Sequence, residues 1–209
     1  MARSKLEALT RLSGKAAAKA LGALERGGLD IRAKLAAPIG RVPGRAPPSQ
    51  PKPAADPTDP ETIYNWRRLD ERVTTSGQPT EPQLAGLHDL GIRHVVNLGL
   101  HSHEKALPDE AASLSRLGMT YIHIPVDFKN PTEQDFARFC TAMDELKDAP
   151  VHVHCIANYR VSAFFYRYRR DILGADEAAA RAEMEEVWKP DRVWQAFIAN
   201  GPRASRPQS

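Results

Sequence analysis

Val151-His-Val-His-Cys-Ile-Ala-Asn-Tyr-Arg-Val-Ser162 is the stretch from which the fold of this 209-residue chain is read. An apolar strand over Val151–Cys155 carries His154 and Cys155 to its C-terminal end; a short loop follows, and a helix is expected to begin near Ser162. In open α/β sheets, ligands sit at that end of a strand. A loop closing onto a helix start gathers backbone N–H groups around one point, and the helix dipole adds partial positive charge, so an oxyanion such as phosphate or sulfate is favoured. The same field draws a cysteine placed there toward its thiolate, the nucleophilic form. Arg160 supplies a planar, permanently charged fork that matches two oxygens of a tetrahedral anion. Cys155 is thus the candidate nucleophile, inside an anion site bounded by His154, Ile156, Ala157, Asn158, Tyr159, Arg160 and Ser162.

Outward from this loop, short β-branched runs alternate with helical stretches. Strands are expected at Arg72–Ser76, His94–Leu98, Tyr121–Pro125 and Val151–Cys155. The helices between them are Glu81–Leu90, stopped by Gly91, Asp109–Leu117, stopped by Gly118, and Thr132–Lys147, stopped before Pro150. Three more follow at Ser162–Leu173, Asp176–Val187 and Pro190–Ala199. The alternation predicts an α/β fold, a central, mostly parallel sheet flanked by helices in three layers. Phe136, Phe139, Cys140 and Met143 share one helical face, which reads as core packing, with a resolving thiol at Cys140 as the minor alternative. Trp188, Trp194, Phe197 and Ile198 read as anchors of the last helices on the sheet.

Four segments arrive in an order that resembles the cysteine-dependent tyrosine and dual-specificity phosphatases, in particular a bacterial phosphatase-like branch. They are Thr75-Ser-Gly-Gln-Pro79, Gly91-Ile-Arg-His-Val-Val-Asn-Leu98, Tyr121-Ile-His-Ile-Pro-Val-Asp127 and the His154-Cys155 loop, so the resemblance covers residues 62–200. It implies a phosphatase-like fold and hydrolysis of a phosphate monoester. Cys155 would attack phosphorus to form a phosphocysteine, and Asp127 would protonate the leaving oxygen and then activate water. His154 would orient the loop, and Ser162 would stabilise the thiolate as it leaves. No metal or cofactor is required.

The loop departs from the family's His-Cys-x5-Arg-Ser/Thr. Ser162 keeps its place, but the sixth position after the cysteine is Val161, and the arginine stands one earlier, at Arg160. At the third position, where the family has a left-handed glycine, stands Asn158, the residue that best tolerates that backbone after glycine. A one-residue shift at a helix start rotates a side chain by roughly 100°. An Arg160 turned away, with Val161 facing inward, would argue against phosphatase chemistry of the usual kind. Cysteine followed five residues later by arginine also matches shorter loops of rhodanese-type sulfurtransferases. A Cys155 persulfide is therefore one alternative, and a weakly catalytic phosphate-binding module is another.

Other features weigh against other classes. Asp127 follows Ile122, Ile124 and Val126 at a strand end, and its plain reading is a turn residue before Pro131; Asp135, expected to face solvent, is the weaker acid candidate. Lys129 and Asn130 read as a solvated loop within reach of an anionic substrate. The His101/His103 and His152/His154 pairs lack a third ligand at useful spacing, so no metal site is expected. No nucleotide-binding glycine loop and no basic-aromatic nucleic-acid surface is visible. The formal charge of +3 conceals a split: before Ala55 there are eleven Lys/Arg against three Asp/Glu, a net of +8, and after it the net is −5. Residues 1–37 read as a basic, marginally helical or disordered tail suited to a membrane surface or acidic partner; 38–60 as a proline-rich linker; 61–200 as the phosphatase-like domain; and 201–209 as a flexible C-terminus. With two cysteines and no long apolar run, a cytoplasmic protein acting on a phosphoprotein or small anionic substrate is expected.

Overall fold

The computed structural model of the protein describes residues 59–60 and 62–201. The expectations for the 1–37 tail, and nearly all of those for the 38–60 linker and the 201–209 terminus, lie outside the described residues. Five strands form one sheet: β1 (Arg67–Arg68), β2 (Val73–Ser76), β3 (His94–Asn97), β4 (Thr120–His123) and β5 (Val151–His154). Their order is β1-β2-β5-β3-β4. β5 pairs in parallel with both β2 and β3, β3 pairs in parallel with β4, and only β1 runs antiparallel. β1 was not expected, because two arginines carry no apolar alternation; tertiary pairing of Arg67 with Thr75 and Arg68 with Thr74 makes the strand.

Six helices cover the sheet: α1 (Glu81–Asp89), α2 (Glu110–Arg116), α3 (Glu133–Glu145), α4 (Tyr159–Arg167), α5 (Glu177–Glu185) and α6 (Arg192–Ala199). The chain moves outward from β2 to β3 to β4 and then returns to β5 at the centre. With crossovers of one hand, that reversal puts the helices on opposite faces. Alternation along β3 shows the result. Val95 packs with Leu84 and Leu87 of α1 and Leu114 of α2, whereas Val96 packs in the larger core with Phe136, Phe139, Phe164, Trp194 and Phe197. This is a three-layer α/β fold.

Gly91 (φ 85°) and Gly118 (φ 70°) follow α1 and α2 in the left-handed region expected of helix stops. α4 begins at Tyr159, three residues before the expected Ser162, because Asn158 (φ 66°) turns the chain directly into the helix. The helix then passes into a π-helical turn, Tyr168–Ile172. Phe139 and Met143 are buried as expected, while Cys140 is only partly buried at the core's edge. Asp135 is a correction. It is buried, because its carboxylate accepts from the Thr132 N–H (3.1 Å) in a capping box and pairs with Arg138.

Candidate active site

The central strand ends at His154, so Cys155 emerges between the ends of β2 and β3. Ladder bonds continue past the strand on both sides, from the Cys155 N–H to Ser76 O (3.4 Å) and from the Leu98 N–H to His154 O (2.8 Å). Cys155 is fully buried, on the face of the sheet covered by α3 and α4.

The loop is held from outside by its carbonyls. Ile156 O accepts from the Gln78 N–H (3.2 Å), and Ala157 O accepts from Asn65 Nδ2 (3.0 Å). Asn158 is left-handed as expected, and it also grips its surroundings: Nδ2 donates to Asn65 O (2.8 Å) and Thr75 Oγ1 (3.0 Å). Asn65 and Asn158 thus clasp each other's backbone neighbourhoods across the loop. Gly77 is required beside them, since a Cβ there would lie 2.9 Å from Ile156 O. With its carbonyls tied outward and the first-turn N–H groups of α4 lacking intrahelical acceptors, the loop offers donors to an anion.

Arg160 is buried, 6% exposed, and reaches the segment after β4: Nε donates to Val126 O (2.9 Å), and the guanidinium lies 5.1 Å from the Phe128 ring centre. Val161 is buried in the hydrophobic core, in the same cluster as Cys155. The displaced arginine therefore joins the Cys155 loop to the residue before Asp127. That segment is held again by Trp194, whose Nε1 donates to Phe128 O (2.9 Å), and by Phe128 packing against Trp188 and Trp194. Asp127 itself is exposed, and its carboxylate accepts from the Lys129 N–H (2.9 Å).

Ser162 differs from its expected role. Its hydroxyl donates to Tyr159 O (3.0 Å) and accepts from Trp188 Nε1 (3.1 Å). Tyr159 stacks flat on Trp188 at 4.6 Å, and a hydroxyl bond with Tyr64 raises the Tyr159 phenol's pKa. Phe128, Trp188 and Tyr159 thus form an aromatic arc from the Asp127 segment to the Cys155 loop.

The two histidines of β5 face the opposite side from Cys155. His152 stacks on Trp66, and burial pushes its pKa well down. The Ser76 hydroxyl donates to Gly77 O (2.6 Å), so the Ser76 oxygen is left to accept from His152 Nε2 (2.9 Å), and Thr74 serves Nδ1 (3.0 Å). His154 Nε2 lies 3.0 Å from Oε1 of the buried Glu110. Burial pushes the Glu110 carboxyl's pKa up, but bonds from His154, Gln78 and Tyr121 outweigh it and hold it below the usual range. His101 turns to Tyr121 and His103 to its own loop backbone, so the first histidine pair diverges. Among the described residues no three His, Cys, Asp or Glu are grouped to hold a metal ion.

Sequence reasoning missed Glu110, Asn65, Phe128 and the contact of Trp188 with the loop. Glu110 follows a helix cap, Asp109, and reads as first-turn charge; only folding shows what it faces.

A protein-family model described as DSP-PTPase phosphatase fused to NAD+ kinase matches residues 59–196. Beta-lactamase hydrolase-like protein of Agrobacterium fabrum is 28% identical over 127 residues, which are 58% of this chain; the match spans only 28% of that longer protein. The crystal structure of a DUF442 phosphatase from Shewanella putrefaciens CN-32 superposes with a TM-score of 0.58 at 34% identity, covering 66% of this chain and 88% of that one. P. aeruginosa TpbA in complex with pTyr shares the fold, with a TM-score of 0.56 at 21% identity over 73% of this chain and 92% of that one. By these matches, the chain belongs to the DSP-PTPase family, within the cysteine-dependent tyrosine and dual-specificity phosphatase superfamily.

Proposed function

We propose that the protein hydrolyses a phosphate monoester through a phosphocysteine. The Cys155 thiolate attacks phosphorus, forming the S–P bond as the bond to the ester oxygen breaks, and Asp127 delivers its proton to that oxygen. Asp127 then takes a proton from the water that attacks phosphorus, the S–P bond breaks, and phosphate leaves with the thiolate restored. Loop amides and the Arg160 guanidinium stabilise the equatorial oxygens.

The observation that carries this reading is the Arg160–Val126 bond, which draws the candidate acid's segment onto the nucleophile's loop. The aromatic arc of Phe128, Trp188 and Tyr159 supports an aryl phosphate, such as a phosphotyrosyl side chain, as first substrate, and the pTyr bound to TpbA is a parallel. The setting is cytoplasmic, in keeping with two unpaired cysteines; among the described residues no helix is long and apolar enough to cross a membrane.

The full chain and Cys155→Ser are assayed with an aryl phosphate and, in parallel, with thiosulfate plus cyanide. Phosphate release that falls by at least about a thousandfold in the variant is expected. Release that survives the substitution refutes the nucleophile, thiocyanate formation alone replaces the reading with sulfur transfer, and oxyanion binding without turnover replaces it with a binding module.

A further inference from the structure

Glu110 belongs to none of the four segments that carry the family resemblance, yet it binds one side chain from each. Its Oε1 accepts from Gln78 Nε2 (3.1 Å) and faces His154 Nε2 (3.0 Å); its Oε2 accepts from Asn97 Nδ2 (2.8 Å) and the Tyr121 hydroxyl (3.2 Å). Gln78 follows β2, Asn97 ends β3, Tyr121 lies in the first half of β4 and His154 ends β5, so one buried carboxylate joins the C-terminal ends of β2, β3 and β5 to β4. Four donors meet two oxygens, and only a carboxylate accepts at both; an amide would turn an NH2 toward one of the two pairs.

We propose that Glu110 is the positioning residue of the nucleophile: its carboxylate fixes the His154 ring with hydrogen on Nε2 and thereby sets the end of β5 from which Cys155 projects. This rests on the reading of Cys155 as nucleophile. His154 Nδ1 and Nε2 are both buried without a hydrogen bond of good geometry among the described residues, but Nε2 alone has an acceptor beside it, Glu110 Oε1 at 3.0 Å, so a hydrogen on Nε2 meets the carboxylate and one on Nδ1 meets none. Successive side chains of a strand alternate between faces, so a ring locked on one face orients the next residue on the other. The groups facing His154 are Glu110 from α2, His152 from β5, and Tyr121 and His123 from β4, with His101 behind Tyr121. Burial pushes the His123 and His152 pKa values down, while its hydrogen bonds hold the Glu110 carboxyl below the usual range.

Two measurements test this on the full chain. Nitrogen-15 NMR of the His154 ring in the unaltered protein is expected to show a protonated Nε2, and a bare Nε2 with hydrogen on Nδ1 overturns the proposal whether or not any variant folds. In Glu110→Gln, kcat toward an aryl phosphate is expected to fall by about tenfold or more with KM within about threefold, and the pH profile of Cys155 alkylation by iodoacetamide to shift. A folded Glu110→Gln whose alkylation profile superimposes on the parent's refutes positioning, even if its melting temperature drops. Failure of the phosphatase reading is separate: phosphate release by Cys155→Ser would remove the nucleophile, while the His154 tautomer would still judge Glu110.

Discussion

Asn158 stands where the family has glycine, and replacing it with glycine separates two reasons for its presence. If only the left-handed backbone matters, Asn158→Gly relieves strain and stabilises, because Asn tolerates that region and Gly adopts it freely. The structure adds two buried bonds, to Asn65 O and Thr75 Oγ1, worth about 1 kcal/mol each. Against them stands Asn158 Oδ1, buried without a partner, whose removal returns part of that amount. The glycine variant is therefore expected to lose about 1–2 kcal/mol. Asn158→Ala loses the same bonds and also places a Cβ in the left-handed region, so it is expected to lose about 1 kcal/mol more. With a urea m-value of about 2 kcal/mol/M, the glycine variant's midpoint drops by roughly 0.5–1 M. Urea titration of the full chain, followed by tryptophan fluorescence, reads the three proteins side by side. A glycine variant as stable as the parent, or more so, refutes the clasp and leaves only the conformational reason.

Stability should also fall in mild acid through His152. Its folded pKa is held well below the ordinary value, so above about pH 6.5 the contribution is complete, and below it only the unfolded chain gains the proton. The parent is expected to lose up to about 1.4 kcal/mol per pH unit relative to His152→Asn as pH falls from 6.5 toward the folded pKa, and parallel urea curves at pH 7 and 5.5 would contradict this. Burial pushes the Cys140 thiol up to about 12, so iodoacetamide at pH 8 is expected to leave the Cys140 peptide of the folded chain unmodified; its ready labelling by mass spectrometry while the chain stays folded would contradict this. Arg160→Lys keeps the charge but loses the Nε donor to Val126 O and the planar face over Phe128, so kcat/KM toward an aryl phosphate is expected to fall at least about tenfold. Retention within about threefold would show that the joint between the two loops is dispensable.

The α/β alternation, the parallel strands and the position of Cys155 at a strand's C-terminal end are legible in the residues alone, because strand and helix periodicity, glycine stops and the order of the four segments are local properties. So is the backbone of Asn158, since few residues accept a positive φ. The antiparallel edge strand β1 was invisible, having no pattern of its own. The destination of the displaced Arg160 was equally hidden: rotation about a helix start says where a side chain leaves the backbone, and only the packed segment after β4 supplied the Val126 carbonyl that receives it. Ser162 shows the same limit, because its hydroxyl is directed to Tyr159 and to Trp188, which lies 26 residues further along in the loop between α5 and α6. Glu110 shows it most clearly. A glutamate after a helix cap is an ordinary surface charge until β4 and the ends of β2, β3 and β5 converge on it, and then the cost of burying a carboxylate is met by three hydrogen-bond donors, Gln78, Asn97 and Tyr121, and the facing His154 ring.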